Sequence, residues 1–193
     1  MGRFSMALVH HPVLHKDGSV ISSAITNTDL HDITRTATTY AVDAFYIVTP
    51  VESQRLLAER LIHHWTRGDG ARKNADRQRA FGIMHVTATL QDALAAEGAH
   101  CAAGVDAWAS SAQLLDGAIS LAQGREHLLG PRGGMLVLGT AHGLAPAAIA
   151  LCAVRLAPLP GVPQANGETY NHLSVRAAAA ILVHELRGPR PEA

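Results

Sequence analysis

The fold is decided by the stretch Met135-Leu136-Val137-Leu138-Gly139-Thr140-Ala141-His142-Gly143-Leu144, which is typical of a buried strand that ends in a glycine-containing loop. A second apolar run (149–156) follows, and then a loop rich in proline and glycine (158–163). The unit closes with Tyr170-Asn171-His172-Leu173-Ser174-Val175-Arg176, which leads into an alanine-rich helix. Loops that leave the carboxyl ends of neighbouring parallel strands line one crevice, where ligands bind. The unit therefore predicts a ligand pocket made of two loops and a helix start.

Outside this unit, short apolar runs alternate with segments of helical periodicity. The apolar runs predict strands at 4–9, 44–48, 83–86 and 101–105. The periodic segments predict one helix that begins at Thr28-Asp29, with Asp29 as the capping residue. They predict three further helices at 51–65, 89–97 and 114–129. The helix at 51–65 is expected to bury a face made of Leu56, Leu57, Leu61, Ile62 and Trp65. Residues 67–79 are polar and are interpreted as a loop.

Strands that alternate with helices predict an α/β fold, with a mostly parallel sheet covered by helices on both faces. The 193 residues have an ordinary length for one domain, so we expect a single domain over 1–193. Because 48% of the residues are hydrophobic and only 4% aromatic, the core is built from small and aliphatic side chains. A dinucleotide-binding dehydrogenase is disfavoured, since the first strand leads into His10-His11-Pro12 instead of a glycine-rich turn.

The formal net charge is +0, so no global electrostatic field attracts a nucleic acid. An RNA partner would require a local basic patch or a basic partner subunit. Cys101 and Cys152 lie in apolar runs and are expected to be buried, reduced thiols. The amino terminus does not have the pattern of a signal peptide, and no apolar run approaches the ~20 residues of a membrane span. We therefore expect a cytoplasmic protein without membrane attachment.

The glycine loop at 139–144 and the motif at 170–176 resemble the carboxyl-terminal signature of the SPOUT RNA methyltransferases. The second motif continues into Ala177-Ala178-Ala179-Ala180-Ile181. Four further segments are similar to a small bacterial subfamily of S-adenosylmethionine-dependent RNA methyltransferases: Leu8-Val9-His10-His11-Pro12-Val13, Thr26-Asn27-Thr28-Asp29-Leu30-His31-Asp32-Ile33, Arg35, and Asn74-Ala75-Asp76-Arg77. The resemblance implies a trefoil knot at the carboxyl terminus, which periodicity alone cannot reveal. It also implies a homodimer in which the cofactor helix packs at the subunit interface.

The resemblance further implies that three segments surround S-adenosylmethionine, largely through backbone groups. The residues carried over as cofactor-binding are Leu138, Gly139, Thr140, His142, Gly143, Leu156, Pro158, Leu159, Gly161, Asn171, His172, Leu173, Ser174 and Val175. Glycines in these loops let the backbone approach a ligand, or only make tight turns. The family usually has a second glycine where Ala141 stands, and related enzymes have a glutamate in this loop.

Arg35-Thr36-Ala37 resembles the arginine motif of ribose-methylating relatives, in which the arginine faces the methyl group. Arginine stays protonated, so a role in holding a phosphate or a base edge fits Arg35 better than proton acceptance. Asp32 and His31 lie within one helical turn of it and are the candidate proton acceptors. The alternative for Arg35 is a charge on a helix surface.

The segment 67–79 contains five basic residues and two acidic ones, a local excess of three positive charges. Lys and Arg side chains bind RNA by neutralising phosphates, so Arg72, Lys73 and Arg77 are the candidate RNA contacts; a solvated loop is the alternative. The twelve histidines do not predict a metal site. Adjacent histidines have diverging side chains, and no cysteine or carboxylate recurs at the spacing of a zinc site.

These observations predict a SPOUT-like homodimer that transfers a methyl group from S-adenosylmethionine to a nucleotide of tRNA or rRNA. The alternative is a non-catalytic RNA-binding or assembly protein that keeps a weakened cofactor site, as Ala141 and the missing glutamate would favour. The sequence leaves open which nucleotide is methylated, and whether the base or the ribose is the acceptor.

Overall fold

The computed structural model of the protein describes residues 2–189. Its strands are β1 (Phe4–Val9), β2 (Val13–Leu14), β3 (Val20–Ile21), β4 (Ala44–Val48), β5 (Met84–Thr87), β6 (Val105–Ala109), β7 (Gly133–Gly139) and β8 (Val154–Arg155). Six of them form a parallel sheet in the order β5-β4-β1-β7-β6-β8. The other two, β2 and β3, form an antiparallel hairpin between β1 and the first helix. The predicted α/β fold with a mostly parallel sheet is confirmed.

The helices are α1 (Asn27–Thr39), α2 (Glu52–Thr66), α3 (Asp69–Lys73), α4 (Ala75–Phe81), α5 (Leu90–Gly98), α6 (Leu121–His127), α7 (Pro146–Ile149) and α8 (Val175–Arg187). They cover both faces of the sheet because successive strand side chains point to opposite sides. In β1, Met6 and Leu8 pack into an apolar cluster that includes residues of α1 and α8. Ala7 and Val9 pack into a second cluster that includes residues of α5 and α7.

Two of the predicted segments are wrong. Residues 101–104 are not a strand, because Gly104 closes a turn onto the Cys101 carbonyl (2.8 Å) and adopts a positive φ of 82°; strand β6 begins at Val105. Residues 67–79 are not a loop, because they contain α3 and most of α4. The side chain of Asn74 accepts a hydrogen bond from the amide of Arg77, and this cap starts α4 within a polar sequence.

Three other expectations need correction. The helix predicted at 114–129 shortens to α6, since Ser120 and Gln123 form a capping box that starts the helix there. Leu56 and Leu57 of α2 are 47% and 45% exposed, so this helix rests on the core through Ala58 and its carboxyl-terminal half. Cys152 is buried as expected, whereas Cys101 is only half-buried.

Helix α1 begins at Asn27, ahead of the predicted start at Thr28-Asp29. The side chain of Thr26 caps the helix, because it accepts a hydrogen bond from the backbone amide of Asp29 (3.2 Å). The side chain of Asp29 does not have this role. Asp29 lies in the first turn, where a negative charge interacts favourably with the helix dipole. The capping role therefore belongs to the threonine that precedes the helix.

Replacing Thr26 with Ala is expected to lower the free energy of unfolding by about 1 kcal/mol, the usual contribution of a threonine N-cap. The matched control is Thr28→Ala, which changes an exposed threonine inside the first turn and is expected to cost less than about 0.5 kcal/mol. Urea denaturation of both variants measures the difference. Equal destabilisation of the two variants would contradict the assignment of the cap.

Among residues 2–189, no helix has the length and apolar character needed to cross a membrane. The trefoil knot stays a prediction from the family resemblance. The element order and the all-parallel sheet described above agree with it.

Candidate functional site

The candidate site lies at the carboxyl edge of the sheet, where β7, β6 and β8 are neighbours and point in the same direction. Neighbouring strands lie roughly 4.8 Å apart, so the loops that leave these three strands emerge side by side. They are the segments 140–145, 110–120 and 156–174. The predicted cofactor residues lie on the first and third of these segments, at the end of β7, and at the start of α8.

Hydrogen bonds fasten the loop after β8 to the loop after β6. The amide of Leu156 donates to the carbonyl of Ala109 (2.9 Å), and the amide of Ala157 donates to the carbonyl of Ile119 (2.8 Å). Further along, the side-chain amide of Asn171 donates to the carbonyl of Ala112 (3.2 Å). The third segment therefore returns across the edge of β6 before it enters α8.

The structure brings the apolar members of the predicted set together. Leu138 and Leu156 are buried in one cluster, and Leu159 and Val175 pack against it. The polar members line the outside: His142, His172 and Ser174 are exposed, and Thr140 is buried at the base. The remaining members are Gly139, Gly143, Pro158, Gly161 and Asn171, which are half-buried, and Leu173, which is 48% exposed.

The loop after β7 is held by the β2–β3 hairpin. The amides of His142 and Ala145 donate to the carbonyls of Leu14 (3.0 Å) and Pro12 (3.1 Å). The amide of Leu14 donates in return to the carbonyl of Gly143 (2.9 Å). These bonds fix the loop in one conformation, as a preorganised binding loop requires.

The glycines of these loops serve contacts within the chain itself. A Cβ on Gly139 would lie 2.5 Å from the amide nitrogen of Leu144, and one on Gly161 would lie 2.7 Å from the carbonyl oxygen of Tyr170. Both positions therefore require glycine because another part of the backbone passes close by. Gly143 has a φ of 103°, and Ala141 has a φ of 53°, a region that favours glycine. The alanine that departs from the family pattern thus stands at a left-handed position.

Gly143→Ala is expected to lower the free energy of unfolding by about 1–3 kcal/mol, because a Cβ disfavours this φ although no atom lies within 4 Å. The matched control is Gly98→Ala at the end of α5, where there is also open space but φ is not positive. That variant is expected to be neutral or slightly stabilising. The outcome that contradicts the assignment is an equal effect of both substitutions in urea denaturation.

The three predicted catalytic residues lie on α1 but face different surroundings. Asp32 faces α8, where its carboxylate lies 3.6 Å from the guanidinium of Arg176. Arg176 also pairs with Asp29 at 3.3 Å, so it joins the start of α8 to the first turns of α1. Asp32 is therefore placed as an ion-pair partner beside the segment 171–175.

His31 faces the opposite side, towards α2 and α4. Its ring packs against Trp65 and Phe81, with centroid distances of 5.3 Å and 4.7 Å, and its Nδ1 contacts the guanidinium of Arg77. Burial, and secondarily the positive charge of Arg77, lowers the pKa of His31. These contacts give His31 a packing role at the junction of the three helices.

Arg35 is exposed and lines a groove of about 400 Å³ between α1 and α4. The groove is also lined by Arg79 and Asp76, together with Thr38, Thr39 and Ala80. In the part of the chain that the structure describes, neither arginine forms an ion pair. The groove therefore presents two guanidinium groups to solvent.

The predicted RNA contacts are not equivalent in the structure. Lys73 is exposed, Arg72 pairs with Asp69 one helical turn away, and Arg77 lies over the ring of Trp65 at 5.1 Å. Arg77 is thus largely committed to packing. Arg79 contributes to the charge excess of segment 67–79 but is not among the predicted RNA contacts. A sequence does not show which arginines of a short helix face the groove.

Two further residues at the site were missed. His10 and Ser23 are hydrogen-bonded to each other and, through Ser23, to Thr140. The sequence feature that indicates a site role for His10 is its position directly after a predicted strand. Over residues 2–189, no group of three histidine, cysteine, aspartate or glutamate side chains is arranged to hold a metal ion.

A family model described as "SAM-dependent RNA methyltransferase" matches residues 3–188. The chain belongs to this family. It is 40% identical to the tRNA (guanine-N(1)-)-methyltransferase of Nitratidesulfovibrio vulgaris over 186 residues, which cover 94% of this chain and 41% of that protein. The chain therefore spans less than half the length of this curated relative.

Solved structures share the fold at low sequence identity. The SpoU methyltransferase AviRb of Streptomyces viridochromogenes has a TM-score of 0.59 and 12% identity, over 95% of this chain and 58% of that one. The TrmH/SpoU tRNA modifying enzyme of A. aeolicus has a TM-score of 0.55 and 13% identity, over 97% and 75%. These likenesses place the chain in the SpoU/TrmH fold group, in agreement with the expected SPOUT-like architecture.

Membership of the family implies S-adenosylmethionine as cofactor, and the residues at the carboxyl edge fit it. Leu159 and Val175 are half-buried and pack against the cluster that contains the buried Leu138 and Leu156, so they are the apolar side chains at this edge that an adenine ring would contact. The backbone of the two loops lies at the same edge, whereas the side-chain amide of Asn171 and the hydroxyl of Thr140 form hydrogen bonds within the chain. The predicted set contains no carboxylate and no lysine or arginine, which suits a ligand that is bound mainly through hydrogen bonds and packing.

Proposed function

We propose that the protein binds S-adenosylmethionine in the crevice between the loops after β7 and β8 and the start of α8, and methylates a nucleotide of tRNA or rRNA. The observation that carries the proposal is the family match over residues 3–188, together with the convergence of these three segments at one edge of the sheet. The bound cofactor supplies an electrophilic methyl group on a sulfonium. The protein's own task is to hold the acceptor atom in line with it.

The residues of the crevice divide into two roles. The half-buried Leu159 and Val175 and the loop backbone bind the cofactor, while Thr140 and Asn171 hold the binding segments through their hydrogen bonds to Val9 and Ala112. Arg176 holds the start of α8 against α1 through Asp29 and Asp32, so that the segment 171–175 keeps its position. Asp32 serves this ion pair, which leaves the proton acceptor for the reaction unassigned.

The acceptor nucleotide is not assigned either. The guanine-N1 activity named for the N. vulgaris relative belongs to a protein of which this chain matches 41%. We therefore propose the substrate class as RNA, with tRNA and rRNA as the molecules to test.

We further propose that the enzyme acts as a homodimer through α8. The helix buries Ala179, Leu182 and Val183 against its own chain, yet Ile181 is 40% exposed. Leu173, just before the helix, is 48% exposed. Small residues on the rest of the helix permit close packing of a second helix, as the family resemblance implies.

S-adenosylhomocysteine is expected to bind with micromolar-scale affinity and to raise the melting temperature, since a ligand of the native state stabilises it. Leu173→Asp is expected to weaken this binding by at least about tenfold, the effect of about 1.4 kcal/mol of lost contact. The measurement is isothermal titration calorimetry, with light scattering to report the number of chains.

The matched control is Leu129→Asp. Leu129 is also highly exposed (69%) but precedes β7, at the opposite edge of the sheet. It is expected to bind the ligand as the wild type does. Absence of heat and of a thermal shift at millimolar ligand in the wild type would contradict the proposal. Binding without methyl transfer to any tRNA or rRNA would instead favour the non-catalytic alternative.

We propose that the groove between α1 and α4 receives the RNA backbone. Arg35 and Arg79 are exposed there and form no ion pair within residues 2–189. Guanidinium groups bind phosphates through paired hydrogen bonds. With a net charge of +0, the protein depends on such a local patch for RNA affinity. Lys73 and Arg72 extend the patch, whereas Arg77 supports it by packing on Trp65.

Arg35→Gln and Arg79→Gln are each expected to weaken RNA binding. Each should also reduce the slope of log K against log [salt] by roughly 0.7–0.9, the change that accompanies the loss of one phosphate contact. Arg35→Gln is also expected to reduce methyl transfer at saturating RNA, and Arg35→Lys to rescue it poorly. Arg132→Gln is the control, since Arg132 pairs with Asp106 beside the amino end of β7. An unchanged slope in both groove variants would remove this surface from the RNA site.

A further inference from the structure

A chain of polar side chains, with His10 and Thr140 buried and Ser23 half-buried, connects the end of β1 to the loop after β7. Nδ1 of His10 lies 2.9 Å from Oγ of Ser23, which lies 2.5 Å from Oγ1 of Thr140. Oγ1 of Thr140 lies 3.0 Å from the carbonyl oxygen of Val9. Three hydrogen bonds thus join the end of β1 and the segment after the hairpin to Thr140, which lies 117 residues after Ser23.

Counting protons fixes the direction of this chain when all three contacts are hydrogen bonds. A carbonyl only accepts, so the hydroxyl of Thr140 donates to Val9. The hydroxyl of Ser23 then donates to Thr140, and Nδ1–H of His10 donates to Ser23. Each hydroxyl has a single proton, so removal of the imidazole leaves Ser23 without its donor and weakens its hold on Thr140.

The imidazole is well suited to act as a fixed neutral partner. His10 has no exposed surface, its amide donates to the carbonyl of Val48 (2.9 Å), and its carbonyl accepts from the amide of Ser23 (2.8 Å). Burial lowers the pKa of His10 to about 4, although Asp29 and the backbone of Ala24 favour the charged form. The ring is therefore uncharged at neutral pH. Among residues 2–189 its Nε2 atom has no hydrogen-bond partner, and the contact with Ser23 is its hydrogen bond to another side chain.

We propose that His10 and Ser23 are positioning residues that hold Thr140, the first residue of the loop after β7, in the conformation required to bind the cofactor. Val9 lies opposite Gly139 in the sheet, so His10 and Thr140 follow directly at the same level of neighbouring strands. The hairpin bonds hold the far part of the loop, at Leu14 and Gly143, and the His10 chain holds its beginning. The inference rests on the proposed function, because it assigns these residues to the same crevice.

Two substitutions at one position separate positioning from simple space filling. His10→Asn keeps a polar nitrogen or oxygen at the place of Nδ1 and can still bond to Ser23. His10→Gln carries its amide one bond further and removes that partner. Ser23→Ala breaks the chain independently at its second member.

The control is Ser5→Ala in the same strand. Oγ of Ser5 is also buried, but it has no hydrogen-bond partner among residues 2–189, so its removal leaves no other described group unsatisfied. This variant is expected to leave both the loop and the cofactor site unchanged.

The first measurement is hydrogen exchange of the segment 139–145 without ligand, compared with the segment 44–48 of β4. His10→Gln and Ser23→Ala are expected to raise exchange in 139–145 by about tenfold, the size associated with one lost buried hydrogen bond, and to leave 44–48 unchanged. His10→Asn and Ser5→Ala are expected to stay within about threefold of the wild type. A uniform rise in both segments would mean global destabilisation and would overturn the proposal.

The second measurement is the dissociation constant for S-adenosylhomocysteine, taken well below the melting temperature of each variant. His10→Gln and Ser23→Ala are expected to weaken binding by about tenfold, and His10→Asn to restore it to within about threefold. Wild-type affinity in both damaging variants, or equal damage by Asn and Gln, would overturn the proposal. Failure of the wild type to bind would contradict the proposed function instead, and the exchange of 139–145 would still decide whether His10 positions the loop.

Discussion

The pairing of β1 with β7 is the constraint on which the rest of the structure depends. Six residue pairs, from Phe4 opposite Gly134 to Val9 opposite Gly139, join the first strand to one that begins about 130 residues later, at the centre of the sheet. Closing a loop of this length costs entropy that grows only with the logarithm of its length, and the completely buried strand β1 offsets it. The register also sets the two strand ends at one level, which places His10 beside Thr140.

This central pairing explains why one loop can serve as a rigid wall of the crevice. The loop after β7 is bonded to the β2–β3 hairpin at its far end and to the His10 chain at its beginning. On the other side, Arg176 ties the start of α8 to α1, which packs on the same cluster as β1. The binding segments come from distant parts of the sequence, yet each is fixed to an element that contacts the central strands.

The arginine side chains divide into those that form ion pairs within the chain and those that face solvent. Several arginines form ion pairs within the chain: Arg3 with the buried Glu97, Arg132 with Asp106, and Arg176 with Asp29 and Asp32. In the groove between α1 and α4, Arg35 and Arg79 are instead presented to solvent. A protein with a net charge of +0 thereby obtains a local excess of positive charge, because two guanidinium groups share the groove with the single carboxylate of Asp76.

The sequence by itself determined the parallel α/β fold, the strands β1, β4 and β7, the family, and the segments that converge at the carboxyl edge, because burial patterns, glycines and motifs are local properties of the chain. Only the tertiary structure decided that residues 67–79 are helical, that Cys101 is outside a strand, and that Asp32, His31 and Arg35 face three different neighbours. Side-chain direction depends on what packs against each helix face, and a linear pattern does not contain that information. The sequence did not reveal the role of His10 for the same reason. Its hydrogen-bond chain ends at Thr140, 130 residues away, and the pairing of β1 with β7 is what brings the two residues together.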